Sequence, residues 1–167
     1  EFELIHNMLS QLNKPYIGVF GNHDLVAKGE EVYERMFGPL NFSFVYQQVK
    51  FIAHNTNSRE YNTGNVPDLA WLRNQLVKDG DTKYFVPVSH IPPFSSDFDK
   101  SIEPVYAGLF DETPSLLISL HGHIHEFRDG YPYNDGVRYM TSHSFDLQSF
   151  VLIKIAGGNI SYTLIDY

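Results

Sequence analysis

Leu116-Leu117-Ile118-Ser119-Leu120-His121-Gly122-His123-Ile124-His125 decides how the rest of the chain is read. Residues 116–120 form a short apolar run of the kind that fills a buried strand. Gly122 breaks the run, and two histidines one residue apart follow it. Residues two apart on an extended chain point the same way, so His123 and His125 are expected to converge on one region. Loops beyond the carboxyl ends of strands are where α/β sheets build their sites.

Moving outward, the same arrangement recurs twice. Tyr84 to Ser89 reads as a strand that runs into His90 and stops at Pro92-Pro93. Tyr16 to Phe20, bounded by Pro15 and Gly21, reads as a buried strand followed by Gly21-Asn22-His23-Asp24. Imidazole nitrogen and amide oxygen are ligands for Zn, Mn or Fe. A set of three His and one Asn without thiolates suits a catalytic site better than a closed structural zinc. Alone, each motif has a plainer reading. Gly-Asn-His-Asp makes a turn and a helix N-cap, with Asp24 bracing the loop. His90 alone suits a hydrogen-bonded rim position. A His-x-His pair can stand on a solvated strand face. Three such motifs, each after an apolar strand, favour a shared site.

The remaining elements place these motifs in one domain spanning 1–167. Phe2, Ile5, Met8, Leu9 and Leu12 have helical spacing over residues 2–12. A second helix is expected over 30–37, stopped by Gly38-Pro39. Phe42, Phe44 and Tyr46 alternate, and 49–55 is β-rich, so a hairpin through Gln47-Gln48 is expected. Pro67-Asp68 starts a helix carrying Leu69, Leu72, Leu76 and Val77 on one face, ended by Gly80. Residues 102–111 form a further helix, and 137–141, 150–155 and 160–165 are closing strands, the last two joined by Gly157-Gly158-Asn159. Strand–helix alternation followed by consecutive strands indicates mixed α and β layers.

The 167 residues carry a formal charge of −8, with 12 basic against 20 acidic side chains. That balance leaves no basic footprint for nucleic acid and no polybasic membrane patch. There are no cysteines, which excludes disulfides, thiol nucleophiles and Cys-based zinc sites. No apolar run reaches the roughly 18 residues of a membrane span. The chain opens Glu1-Phe2-Glu3-Leu4, without an initiator Met and already in a helical pattern, and so reads as a piece of a longer protein.

With Gly21-Asn22-His23-Asp24, Ser89-His90-Ile91-Pro92-Pro93 and Gly122-His123-Ile124-His125 in that order, the chain resembles the calcineurin-like metallophosphoesterases. The Trp71-Leu72 helix and the Gly157-Gly158-Asn159 hairpin fit the same family. The resemblance implies a four-layer α/β/β/α sandwich with a two-metal site (Mn, Fe or Zn) at the strand ends. It implies that Asn22, His90 and His123 bind the second metal and His125 the first. His23 would stand beside the leaving-group oxygen as a general acid or charge stabiliser. The implied reaction is hydrolysis of a small phosphate mono- or diester by metal-bound hydroxide. Such chemistry is physically sound: paired divalent ions clamp a phosphoryl group and activate water.

Two motifs of that family, Asp-x-His and Gly-Asp-x-x-Asp, are absent from the 167 residues. With them go the bridging carboxylate and the carboxylate that orients the catalytic imidazole. The first strand–helix–strand unit of the fold goes too. The expectation for this chain alone is one metal ion or none, and weak activity or none. The alternative is a non-catalytic scaffold or binding module of the same fold. The strand at 16–20 would present an unpaired apolar edge, so a homodimer is expected. Among the other histidines, His121 is expected to be a hydrogen-bonding neighbour, His54 structural and His6 solvated. His143 and Tyr131 are candidates for a substrate rim.

Overall fold

The computed structural model describes residues 2–59 and 65–167. Its centre is a six-stranded sheet with the order β1-β2-β3-β4-β6-β5. β1 (Phe42–Tyr46) and β2 (Val49–Ala53) form the expected antiparallel hairpin, with Val45 opposite Lys50. Gln47 and Gln48 close it at φ 47° and 71°. A two-residue turn with both central φ positive matches the twist of its strands. β3 (Tyr84–Val88) runs parallel to β2, and β4 (Ser119–His121) parallel to β3 and to β6 (Tyr139–Thr141). β5 (Arg128–Gly130), which the sequence reading did not anticipate, adds antiparallel to β6. β7 (Ser149–Ala156) and β8 (Asn159–Asp166) form a separate long hairpin turned at Gly157-Gly158, φ 58° and 82°. A Cβ on Gly158 would lie 2.6 Å from the Tyr84 ring, so this turn needs glycine for space as well as for its φ.

The six-stranded sheet is covered on both faces, which explains the near-continuous apolar character of its parallel strands. On one face Ile52 and Phe85 pack against Leu72 of α3 (Leu69–Gln75) and against Tyr106, Leu109 and Phe110 of α4 (Glu103–Asp111). The Asp68 carboxylate caps α3 by accepting from Trp71 N at 2.9 Å. On the other face Val49, Val86, Ile118 and Met140 meet Val151, Ile153 and Ile155 of the β7–β8 hairpin. The fold is thus the mixed α/β sandwich that the sequence implies.

Three expectations are corrected. Residues 16–20 join no strand, and Tyr16 and Ile17 are 39% and 47% exposed. Only Phe20, at the end of the run, is buried. A strand needs a hydrogen-bonding neighbour as well as apolar side chains, and none of the described residues offers one here. α1 (Phe2–Leu9) exists, but it buries no residue fully, and Ile5 and Met8 of its apolar stripe face solvent. It docks instead through Phe2, which packs on Tyr33 and Phe37 of α2 (Gly29–Phe37). His6 is likewise not solvated: it is half-buried with its ring edge against Phe37.

Candidate metal centre

The motif histidines are brought together by hydrogen bonds to their backbones, two of them from one loop. Residues 55–57, just after β2, reach in both directions. Thr56 Oγ1 accepts from Ile91 N at 2.9 Å, which fixes the chain beside His90. Asn57 Nδ2 donates to Phe20 O at 3.2 Å, which fixes the chain before Gly21. Gly122 N then donates to His90 O at 3.0 Å and attaches the third motif. All three ties are buried or nearly so, where a hydrogen bond is hard to replace with water.

The result joins positions far apart in sequence. His90 Nε2 and Asn22 Oδ1 stand 3.0 Å apart across 68 residues. The rings of His90 and His123 meet edge to face, with centroids 5.2 Å apart. His23 and His125 are also close enough to act electrostatically on His90. Burial pushes the His90 imidazole down to about 4, and the neighbouring His123, His23 and His125 add to the shift. His90 is therefore neutral at pH 7, the state in which an imidazole can ligate.

Gly21 N donates to the Asp24 carboxylate at 2.8 Å, so Asp24 braces the turn. Burial raises the Asp24 pKa against the pull of that hydrogen bond. His23, between them, is exposed and makes no hydrogen bond among the described residues. His123 and His125 do not lie on extended chain. Their φ values are 70° and 52°, in the left-handed region that non-glycine residues seldom occupy. Both side chains reach the neighbourhood of His90, but through a coiled loop and not through strand alternation. Backbone held in this region is a common feature of functional loops.

The other candidates fall into place around this group. His121 is buried, with its ring nitrogens taken by Ser89 Oγ and Ser119 Oγ, each at 2.9 Å. Burial holds it well below the ordinary histidine range, so it is a neutral neighbour and has no lone pair to offer. His54 is structural: its Nδ1–H donates to Ile52 O, and Nε2 accepts from the Tyr106 hydroxyl at 2.7 Å. His143 lines a cavity of about 540 Å³ together with His90, His121, Ile17 and Val151. Tyr131 lines a different concavity, beside Phe94 and Arg128, and the fold does not bring it to the histidines.

Sequence reasoning missed Asp97. Its carboxylate accepts from His123 Nε2 at 3.0 Å and from Arg59 Nη1 at 2.7 Å. Those two hydrogen bonds, that of His123 first, hold its pKa below the usual carboxylate range. The only hint in the sequence was an acidic residue a few positions beyond His90, a common surface pattern.

The donor chemistry fits a divalent cation. One amide oxygen and three imidazoles are ligand types for such an ion. In this structure His90 Nε2–H donates to Asn22 Oδ1 at 3.0 Å, and a cation held between the two would displace that proton. Among the described residues, no group of three His, Cys, Asp or Glu side chains is placed to hold a metal ion.

A family model for calcineurin-like phosphoesterases matches residues 1–127. The chain belongs to this family. Its fold agrees with that of the Thermotoga maritima protein TM1076, solved by solution NMR, with a TM-score of 0.51 at 18% identity. The match covers 98% of this chain and 73% of TM1076. No curated protein matches the chain. The three histidine motifs all fall inside the matched residues. Metallophosphoesterases generally bind divalent metals and act on phosphoester bonds. No helix among the described residues is long and apolar enough to cross a membrane.

Proposed function

We propose that this chain carries the second-metal ligands and the general acid of a divalent-metal-dependent phosphoesterase acting on a small phosphate mono- or diester. The observation that carries this reading is the approach of Asn22 Oδ1 to His90 Nε2 at 3.0 Å, with His123 packed on the same imidazole. Asn22, His90 and His123 would hold one ion (Mn, Fe or Zn), and His125 would contribute to a second. When bound, such ions supply Lewis-acid charge and lower the pKa of water. His23, exposed beside the group, would give its ring proton to the departing ester oxygen. Asp24 would keep the His23 turn in place through Gly21 N. His143 would stand on the rim of the substrate cavity. Binding of one ion or none, and weak activity, is proposed for these residues alone, since no carboxylate among them bridges two ions.

The experiment is hydrolysis of an aryl phosphate and an aryl phosphodiester by the Mn²⁺-loaded protein, compared with His23→Ala and with His90→Ala. Loss of turnover in His23→Ala with metal content retained supports the reading. Unchanged turnover in His23→Ala removes the role given to His23. A scaffold of the same fold is the second reading, favoured by the absence of a closed three-ligand cluster among the described residues. Mn²⁺ binding and turnover that are both nil would establish it. We also propose that the chain pairs with a second copy of itself along the cleft beside residues 16–20.

A further inference from the structure

From the Arg59–Asp97–His123 chain of contacts we infer that Asp97 is a positioning residue, which holds His123 as the Nε2–H tautomer and so presents Nδ1 to the metal centre. This rests on the metal-binding reading of the site.

The argument begins with what one ring nitrogen can do. A carboxylate only accepts, so the 3.0 Å contact between His123 Nε2 and Asp97 Oδ2 places a hydrogen on Nε2. In a neutral imidazole the lone pair then resides on Nδ1. The two nitrogens face away from each other across the ring, so a ring that turns Nε2 toward Asp97 turns Nδ1 elsewhere. Nδ1 of His123 makes no hydrogen bond among the described residues. His123 is partly buried, and its ring packs on His90, the imidazole that meets Asn22.

Asp97 itself has three ways to act, and the structure separates them. As a ligand it would share a dication with Arg59, whose guanidinium is 2.7 Å from its other oxygen, and the two cations would repel. As a competitor it would keep Nε2 from the metal, which matters only if Nε2 is the ligating atom. As a positioning group it does what carboxylates behind metal-bound histidines do: it fixes the tautomer, orients the ring and raises its basicity. Arg59 fits this third role, because it anchors the far oxygen of the carboxylate. The left-handed backbone at His123, φ 70°, leaves the ring with few local constraints of strand or helix, so a tether through the side chain has work to do.

The test is Mn²⁺ binding, read by the electron paramagnetic resonance of free Mn²⁺, together with long-range ¹H–¹⁵N spectra of the histidines in metal-free protein. Wild type is expected to show His123 as the Nε2–H tautomer. Asp97→Ala is expected to weaken Mn²⁺ binding about 10- to 100-fold, the usual cost of removing such a partner. Asp97→Asn keeps an accepting oxygen and is expected to restore most of the affinity. Tighter binding in Asp97→Ala would overturn the inference in favour of a competitor. Asp97→Asn as weak as Asp97→Ala would overturn it in favour of a ligand, as would an Nδ1–H tautomer in wild type. Failure of the underlying site reading shows differently: wild type itself would bind no more Mn²⁺ than His90→Ala.

Discussion

At the scale of single residues, the histidines divide by what surrounds them. His54 is fully buried and neutral, and burial pushes its pKa down to about 4 from an ordinary 6.5. Above pH 6.5 neither folded nor unfolded chain holds the proton, and His54 has no effect on stability. As pH falls from 6.5 toward 4 the unfolded chain takes up a proton that the folded one refuses. Stability is therefore expected to fall across that window, by roughly 1 kcal/mol per pH unit from this group. Urea unfolding at pH 7.5 and pH 5 checks it, and His54→Gln, which removes the titrating group, is expected to flatten the dependence. His23 behaves as an exposed histidine of the turn. His23→Ala is expected to lower turnover by roughly 10²–10⁴-fold with metal content unchanged, as for loss of a general acid; metal analysis beside the turnover assay decides it. Residue identity in the three motifs was legible because Gly, Asn and His after apolar runs are a rare combination. Asp97 was not, because its partners Arg59 and His123 lie 38 and 26 residues away in sequence. His54 and His121 read as structural and hydrogen-bonding histidines, but their partners Tyr106 and Ser89, 52 and 32 residues away, were not legible.

At the scale of elements, periodicity and stop signals recovered what is local. The hairpins at 42–53 and 149–166 and the helix at 69–75 announce themselves through alternation, Asp68 and paired glycines, while Pro104 in the first turn of the helix at 103–111 speaks against a helix until its place there is known. Residues 16–20 misled for a physical reason: an apolar run states a wish to be buried, but strand formation needs a neighbour that the run does not encode. β5 was missed because Arg128-Asp129-Gly130 has no apolar alternation and is held by pairing to β6 and by Arg138 to Asp129 at 2.7 Å. Two predictions belong here. Asp68→Ala removes the cap of α3 and is expected to cost about 1 kcal/mol, read as a drop in melting temperature of a few degrees. Gly29 is a stricter case. A Cβ there would lie 1.7 Å from Asp24 O, a backbone atom of the His23 turn. Gly29→Ala must separate α2 from that turn, so it is expected to weaken Mn²⁺ binding although no ligand changes. A destabilised protein with wild-type Mn²⁺ affinity would show that the turn adjusts independently of Asn22.

For the whole molecule, the unfinished part is the layer that holds the β7–β8 hairpin. β7 pairs with β8 along one edge, and no described strand pairs with the other. Across the cavity of about 540 Å³ from Phe150, Val151 and Ile153 lies the segment with Ile17 and Val19. Residues 16–19 make no backbone hydrogen bonds among the described residues. The free edge of β7 and a segment without backbone hydrogen bonds, facing one gap, form a template for a further strand. Ile17, which lines this gap, is 47% exposed. A second copy of the chain can supply such an edge, but the formal charge of −8 on each copy opposes the approach. Repulsion between exposed charges is screened by salt and apolar burial is not. Self-association is therefore expected to strengthen from low salt to 0.5 M NaCl. Light scattering should then give a mass above 19.2 kDa that rises with concentration. Ile17→Lys, which puts a charge into the cavity that His90 and His143 also line, is expected to return the mass to that of the monomer. A wild-type monomer at every salt concentration would mean that the gap closes within one chain and that the edges at 16–20 and β7 are not available to a partner.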